Sequence, residues 1–316
     1  MSAREVGTRP ARHPRRRRRR ALVTVAVLAA LAVLAGVGVA VADARRDDAP
    51  ELVAFDEAFT DEGLRRCVAR ALDVDDGTAL VPRDRLESLD RLSCADPEPD
   101  VKSLDELRNL PGLTDLSLVL TDVRRLPADA VPRLTDLSLT ATGITDLTGL
   151  AALPSLTSLQ LGGRCWGPEA PADLDALAQI TGLTGLSLDC LDVTDLTPVG
   201  RLTGLTSLYL SVPATDLGPL RSLTSLRQLQ VREMDVDVAP LADLRVLRSL
   251  GLEHSRVADL SPLAALPELH SLDLSRATVG SLAPLADFAA LESLRLTDTK
   301  APGAGSLALD GVDIRR

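Results

Sequence analysis

Leucine recurs along most of this chain at positions that alternate with polar residues. From Leu113 onward, the segment L-x-x-L-x-L returns again and again, and V/I-x-D/x-L follows it after four or five residues. Leucine alternating with polar residues is the two-residue period of a β-strand with one buried face. The first leucines of the copies are Leu113, Leu134, Leu156, Leu183, Leu205, Leu226, Leu247, Leu269 and Leu291. Their spacing is 21 or 22 residues except for one interval of 27, and a weaker copy begins at Leu89.

This period predicts a leucine-rich-repeat solenoid. One coil cannot bury its own leucines, but stacked coils bury them in a continuous ladder. A second apolar group, such as Ile144, Leu147 and Leu150, closes each coil on the far side, where proline recurs and favours tight turns and short 3₁₀ helices. Amphipathic helices are the alternative, but proline at a fixed phase argues against them. We therefore predict an α/β solenoid, mainly β, in which about ten coils of 21–22 residues form a horseshoe over residues 89–309.

The first 42 residues follow a different pattern. Six arginines, Arg15 to Arg20, precede 22 uncharged residues from Ala21 to Ala42. A helix of that length spans about 33 Å, and the hydrocarbon core of a bilayer is about 30 Å thick. Because positive charge stays inside, we expect residues 1–20 to be a basic cytoplasmic tail. Residues 21–42 would then be a transmembrane signal-anchor helix in a single-pass protein of the cell membrane, with the repeats extracytoplasmic.

A cleaved signal peptide is the competing interpretation. Ala40-Val41-Ala42 has the small-x-small form of a cleavage site, but the apolar part of a signal peptide is usually about 7–15 residues long. Cleavage near residue 42 would make the body a secreted protein. Residues 43–54 are a short linker in either case.

Charge separates the two ends of the chain. The formal net charge is −10, but residues 1–46 hold eleven arginines and two acids, which leaves 24 bases and 43 acids in residues 47–316. A body with a net charge of −19 repels nucleic acid, so we expect no nucleic-acid partner. Aromatic residues make up only 2% of the chain, so the core must be aliphatic.

The repeats and the segment before them resemble the bacterial internalin-like leucine-rich-repeat proteins. Phe55, Leu64, Cys67, Val68 and Leu72 in FDEAFTDEGLRRCVARAL are similar to the helical N-terminal cap of that family. The resemblance implies a cap over residues 55–88, with an amphipathic helix from about Glu62 to Leu72 covering the first strand edge. Residues 310–316 remain as a C-terminal tail. The motif is specific for the fold but says little about function. Host-cell invasion, which is a function of some family members, is therefore not expected of this chain on the basis of the resemblance.

One departure from the family concerns the turn after each strand. The family usually has asparagine there, and this chain has none at those positions, which read Pro97, Thr121, Thr142, Arg164, Leu191, Pro213, Met234, Ser255, Ala277 and Thr299. Threonine and serine can replace part of the hydrogen bonding, but leucine, methionine, alanine and proline cannot. We therefore predict looser turns and a less uniform curvature around residues 191–234.

Four cysteines in an exported chain suggest disulfides. Cys67 falls on the cap helix and Cys94 on the strand that the helix should cover, while Cys165 and Cys190 follow the strands of successive coils. We favour the pairs Cys67–Cys94 and Cys165–Cys190. Buried reduced thiols are the alternative. We expect no metal site, because the chain has no C-x-x-C pair and its histidines are not in phase with the cysteines.

Strand residues that point away from the leucines form a second surface, here called the strand face, which is the concave side of a horseshoe. Its central position reads Ser117, Ser138, Gln160, Ser187, Tyr209, Gln230, Gly251, Asp273 and Arg295. Side chains are small in the early coils and larger later, and tyrosine and arginine dominate binding energy at interfaces. We therefore place a candidate contact at Tyr209, Gln228, Gln230, Arg232, Glu253, Asp273 and Arg295. A solvated face without a ligand is the alternative.

The 27-residue coil carries an insertion over residues 162–177 with the only tryptophan, Trp166. Insertions in solenoids form loops on one face, so Trp166 is either a binding anchor or packs back on the solenoid.

Catalysis has no support in the sequence, since neither His254 nor His270 can be matched to a nucleophile. No cofactor motif is present, so we expect a non-enzymatic protein without a cofactor. The resulting hypothesis is a protein-binding module for an unknown protein ligand at the cell envelope, attached to the membrane through residues 21–42. The alternative is an acidic spacer or scaffold of the envelope without a specific ligand on the strand face.

Overall fold

The computed structural model describes residues 50–315 apart from 76, 78, 96–100, 120, 122, 143–145, 164–173, 303–306 and 308. All of the described residues belong to one unit, residues 50–316. The predicted tail (1–20), the predicted transmembrane helix (21–42) and most of the linker lie outside the described residues. Among the residues that are described, no helix is long and apolar enough to cross a membrane.

The cap begins with a two-stranded antiparallel sheet and three short helices. Its elements are β1 (Leu52–Ala54), α1 (Phe55–Ala58), α2 (Glu62–Ala71), β2 (Leu80–Pro82) and α3 (Arg83–Glu87). Helix α2 confirms the predicted cap helix. The Asp61 side chain accepts a hydrogen bond from the Leu64 backbone N–H at 2.8 Å, which satisfies one of the free donors at its first turn.

Two side-chain links tie the cap to the repeats. A disulfide joins Cys67 on α2 to Cys94, with the two Cα atoms 5.4 Å apart, as predicted. The Glu106 carboxylate accepts hydrogen bonds from the Thr60 and Asp61 backbone N–H groups at 3.0 and 3.2 Å. The cap is therefore held to the first coil by covalent and polar contacts as well as by apolar packing.

The repeats form a parallel sheet of 11 strands in which the strands follow chain order. These strands are β3 (Arg91–Cys94), β4 (Asp115–Val119), β5 (Asp136–Thr140), β6 (Ser158–Gly162), β7 (Gly185–Asp189), β8 (Ser207–Ser211), β9 (Gln228–Val231), β10 (Ser249–Gly251), β12 (Ser271–Asp273), β14 (Ser293–Arg295) and β15 (Asp313–Arg315). Short strands β11 (Arg256–Val257) and β13 (Thr278–Val279) pair separately. The sheet reaches β15, so the solenoid extends into the segment that the sequence analysis treats as a tail.

Leucines at alternate strand positions form the core, as the periodicity predicts. Leu116, Leu137 and Leu159 are register partners on successive strands, and each is at most 2% exposed. Full burial of one such side chain contributes about 1.5–3 kcal/mol. Stability therefore comes from repetition of one small contact along the stack rather than from a single large core.

The far side of the coils consists of short helices, also as predicted. They are a helix α4 (Thr197–Gly200) and 3₁₀ helices at Asp105–Asn109, Ala128–Ala130, Thr148–Ala152, Asp175–Gln179, Gly218–Ser222, Ala239–Asp243, Ser261–Ala265 and Ala283–Asp287. Proline occupies the first turn of several, where its missing N–H costs nothing. Leu147 and Leu150 are buried on this side, while Ile144 lies outside the described residues.

Aspartates precede five of these short helices and form what we call the cap column. Each accepts a hydrogen bond at 2.7–2.9 Å from the backbone N–H two residues later; the members are Asp146, Asp195, Asp216, Asp237 and Asp259. Hydrogen bonds from Thr148, Thr197 and Ser261 hold the pKa values of Asp146, Asp195 and Asp259 below the usual range. The column fixes the entry into these five short helices.

Turns after the strands use a residue with left-handed backbone in several coils. Ala141, Cys190, Glu233, His254, Arg276 and Asp298 have φ between 51° and 58°. The turn after β8 has no such residue, because the matching position is Val212, and left-handed backbone is strongly disfavoured for a β-branched side chain. Leu191 and Met234 are buried at the positions where the family has asparagine. The less uniform curvature of residues 191–234 stays a prediction.

Candidate binding surface

Parallel pairing fixes the residues of the strand face in rows. The central row runs through Ser93, Ser117, Ser138, Gln160, Ser187, Tyr209, Gln230, Gly251, Asp273, Arg295 and Arg315. This is the predicted row, lengthened by one residue at each end. Apart from Gly251, which is buried, the row residues lie on the face opposite the leucines, because side chains alternate along a strand.

An ion pair organises the late part of the central row. The Arg295 guanidinium lies 2.7 Å from Asp273 Oδ2, and the Ser275 backbone N–H donates to Asp273 Oδ1 at 2.8 Å. The Asp273 side chain is only 14% exposed, whereas that of Arg295 is 50% exposed. The aspartate is thus fixed, and it holds the arginine in place at the surface.

The same pair borders a polar cleft of about 230 Å³. Gly251 lies at its base, and Gln230 and Arg295 are among its lining residues. The Gln230 side chain leans over Gly251, since a Cβ built there would lie 3.1 Å from Gln230 Cγ. The structure therefore brings three of the seven predicted contact residues, Gln230, Asp273 and Arg295, around one cleft.

Tyr209 and Arg232 form a second group. A hydrogen bond with Tyr209 raises the pKa of Arg232, and the charges of Glu233 and Glu253 act in the same direction. Arg232 Nε also lies 3.6 Å from Glu233 Oε1. This arrangement joins three more of the predicted residues, Tyr209, Arg232 and Glu253. Gln228 lies exposed on the row beside the central one, in register with Ser207 and Ser249.

The early coils contain a larger cavity, which the sequence analysis does not anticipate. It has a volume of about 360 Å³ and lies across β3 to β6. Serines of the central row form its base, and Asp115 and Asp136 belong to its lining. The side chains of the early coils are small, as the sequence shows, and this leaves the space that forms the cavity.

The predicted site residues of the insertion and its disulfide are not part of these groups. Trp166 and Cys165 lie outside the described residues, so the anchor role of Trp166 and the pair Cys165–Cys190 stay predictions. Cys190 itself is disulfide-bonded. In the described part of the chain, no group of three or more histidine, cysteine or acidic side chains could hold a metal ion.

The two histidines of the repeats lie in separate surroundings. His254 Nε2 is 3.4 Å from Arg276 Nη1, and His270 Nδ1 contacts the Glu268 carbonyl oxygen. The first contact is therefore with a side-chain cation and the second with a backbone oxygen.

No model of a protein family and no curated protein sequence matches this chain. Solved structures do match its fold. Internalin InlF from Listeria monocytogenes has a TM-score of 0.59 and 23% identity, covering 86% of this chain and 98% of the internalin. Internalin InlC2 from the same organism has a TM-score of 0.54 and 26% identity, covering 79% of this chain and 97% of the internalin.

A plant protein also shares the fold. The leucine-rich-repeat ectodomain of the membrane receptor kinase GASSHO1/SCHENGEN3 from Arabidopsis thaliana, in complex with CASPARIAN STRIP INTEGRITY FACTOR 2, has a TM-score of 0.51 and 20% identity. The match covers 67% of this chain but only 27% of the plant ectodomain. The shared feature is the leucine-rich-repeat architecture, and within it the present chain is internalin-like.

Proposed function

We propose that this internalin-like leucine-rich-repeat chain binds a protein partner, without catalysis, through the late half of its strand face. The binding would take place at the bacterial cell envelope, with residues 21–42 anchoring the chain in the cell membrane. The observation that carries the proposal is the arrangement of Gln230, Asp273 and Arg295 around a polar cleft, with Tyr209 in register with Gln230 on the neighbouring strand.

These groups suit protein recognition for three reasons. Tyrosine and arginine carry much of the binding energy at protein interfaces. Asp273 fixes the Arg295 guanidinium through a 2.7 Å contact, so less conformational freedom is lost when a partner binds. The plant ectodomain with this fold is itself in complex with a partner, which gives a precedent for the architecture.

The anchor part of the proposal rests on the arginine run followed by 22 uncharged residues. The length of the apolar segment favours a helix that stays in the membrane over a cleaved signal peptide. The acidic body, with 43 acids and 24 bases in residues 47–316, would be repelled by anionic lipid, so residues 21–42 and not the body would provide the attachment.

Cross-linking of the full chain in envelope preparations tests both parts. The variant Tyr209→Ala/Arg295→Ala should lose a partner that the wild type captures, whereas Arg201→Ala/Arg227→Ala, at exposed sites outside the strand face, should retain it. Equal capture by all three would contradict the late-coil contact and favour the acidic spacer. An alkaline wash of the same membranes should leave the chain bound with its N-terminus intact; a soluble product that begins near residue 43 would instead indicate secretion.

A further inference from the structure

The cavity of the early coils combines an apolar base with open space. Ser93, Ser117 and Ser138 line its centre, whereas the leucines beside them on each strand, Leu92, Leu116 and Leu137, point into the core and are only 2% exposed. Because the serine side chains are short, their Cβ atoms and the strand backbone form a base that a ligand can reach. A volume of about 360 Å³ lies within the range of sites that hold small organic groups.

Two carboxylates line this cavity side by side. Asp115 and Asp136 are register partners on β4 and β5, and neighbouring strands are about 5 Å apart. Asp115 Oδ2 accepts from the Thr114 hydroxyl at 2.7 Å, and Asp136 Oδ2 accepts from the Thr135 hydroxyl at 2.8 Å. Each threonine holds one carboxylate oxygen, and the Oδ1 atoms accept no hydrogen bond within the described part of the chain.

Little positive charge balances this pair. Arg91 Nε lies 3.8 Å from Asp115 Oδ2, and the Arg91 side chain is 78% exposed. Such an exposed contact contributes little. Asp136 forms no ion pair with any described residue. Since like charges directly opposite each other on adjacent strands repel, the cavity has unmatched negative charge beside an apolar base.

We propose that this cavity binds a lysine or arginine side chain of a protein partner. The aliphatic stem would lie over the serine Cβ atoms and the strand backbone, and the cationic group would pair with Asp115 and Asp136. Long basic side chains combine an apolar stem with a charged end, and charge-assisted hydrogen bonds to carboxylates are among the stronger ones. A hydrated metal ion would leave the apolar base unused, so the surface fits a side chain better.

This inference rests on the proposed protein-binding function but adds a second contact with its own chemistry. The cavity lies on β3 to β6, whereas the proposed contact lies on β8 to β14. The partner would therefore present a basic residue to the early coils and other groups to the late ones.

Peptide titration of the full chain in lipid nanodiscs tests the inference. The probe is acetyl-Ala-Leu-Lys-Leu-Ala-amide, and the analogue with norleucine in place of lysine keeps the stem without the charge. NMR signals of the Ser93, Ser117 and Ser138 backbone N–H groups report binding. We expect the lysine peptide to shift them and to bind about tenfold tighter or more than the norleucine peptide, at the weak end for hydrogen bonds to charged groups.

Matched variants separate charge from shape. Asp115→Asn/Asp136→Asn keeps an oxygen to accept from each threonine but removes both charges, and it should abolish the preference for lysine. Asp129→Asn/Asp192→Asn removes the same charge at exposed positions outside the cavity and should preserve the preference. Absence of backbone N–H shifts up to about 5 mM peptide, equal binding of both peptides, or an unchanged preference in the first variant would overturn the inference.

The same titration distinguishes the two contacts. The variant Tyr209→Ala/Arg295→Ala should bind the lysine peptide as the wild type does, because neither residue lines the early cavity. If that variant binds the lysine peptide and also captures the partner as the wild type does, only the late-coil contact is refuted. If the wild type captures the partner but shows no preference for the lysine peptide, only the cavity is refuted.

Discussion

Ser255 shows how one side chain replaces the asparagine that the family usually has after each strand. It is 2% exposed, and its hydroxyl oxygen accepts from the Met234 backbone N–H at 3.2 Å. The hydroxyl also lies 3.3 Å from the Val231 carbonyl oxygen and 3.2 Å from that of Glu253. A single buried hydroxyl therefore connects the turns of two successive coils.

Replacing that hydroxyl should destabilise the solenoid. In Ser255→Ala the Met234 N–H stays buried without its acceptor, so we expect the free energy of unfolding to fall by about 1–3 kcal/mol. Urea unfolding followed by circular dichroism measures the change. Ser225→Ala, at an exposed turn position, is the control and should differ little from the wild type. Equal stability of the two variants would show that water replaces the serine.

Residue type alone does not determine this role. Thr121 stands at the equivalent position of an earlier coil and is fully buried, yet its Oγ1 has no hydrogen bond among the described residues. The sequence shows that serine and threonine can take up part of the bonding, but which of them does so depends on the rotamer that each turn allows.

At the scale of elements, the cap column ties five of the short helices to the turns before them. The carboxylates of Asp146, Asp195 and Asp259 each accept hydrogen bonds from the threonine or serine two residues later, through both its side chain and its backbone N–H. These bonds lower the pKa values of the three aspartates. A carboxylate with a lowered pKa stabilises the folded state above its unfolded pKa. That contribution disappears as the pH falls through the folded pKa.

The chain should consequently lose stability in acid partly through these aspartates. Between about pH 5 and about pH 2, the Tm of the wild type should fall more steeply than that of Asp146→Asn/Asp195→Asn/Asp259→Asn. Asparagine keeps an acceptor oxygen but does not titrate, so this part of the pH dependence is removed. Thermal unfolding monitored by circular dichroism measures it. Asp129→Asn/Asp192→Asn/Asp287→Asn, outside the column, should keep the wild-type slope; identical slopes for all three proteins would contradict the explanation.

Elements with a strict period could be predicted from the sequence, and contacts between distant residues could not. The leucine spacing predicts the strands, the row that contains Tyr209 and Arg295, and the 3₁₀ helices, because every coil buries leucines at the same positions. The Glu106 bonds to Thr60 and Asp61 cross 45 or more residues and have no local pattern. The early cavity could not be predicted, because it exists only where several neighbouring strands all have small side chains at matching positions.

At the scale of the whole molecule, the repeats behave as a one-dimensional stack. Each strand pairs only with the strands of adjacent coils, so a disturbance at one end should weaken with distance along the stack. The cap is attached to this stack through the Cys67–Cys94 disulfide, and Cys94 ends the first strand, β3. The disulfide therefore acts at the point where the stack begins.

Removing that disulfide should loosen the first coils before the others. Cys67→Ala/Cys94→Ala opens a link across 27 residues, and the free energy of unfolding should fall by about 2–4 kcal/mol. Hydrogen exchange should show the greatest loss of protection in β3 and β4, with smaller losses towards β9. Leu294→Ala, at a fully buried position of β14, should produce the opposite gradient. Uniform loss of protection along the sheet in both variants would mean that the coils unfold as one cooperative unit, and the picture of a stack with only neighbour contacts would then be wrong.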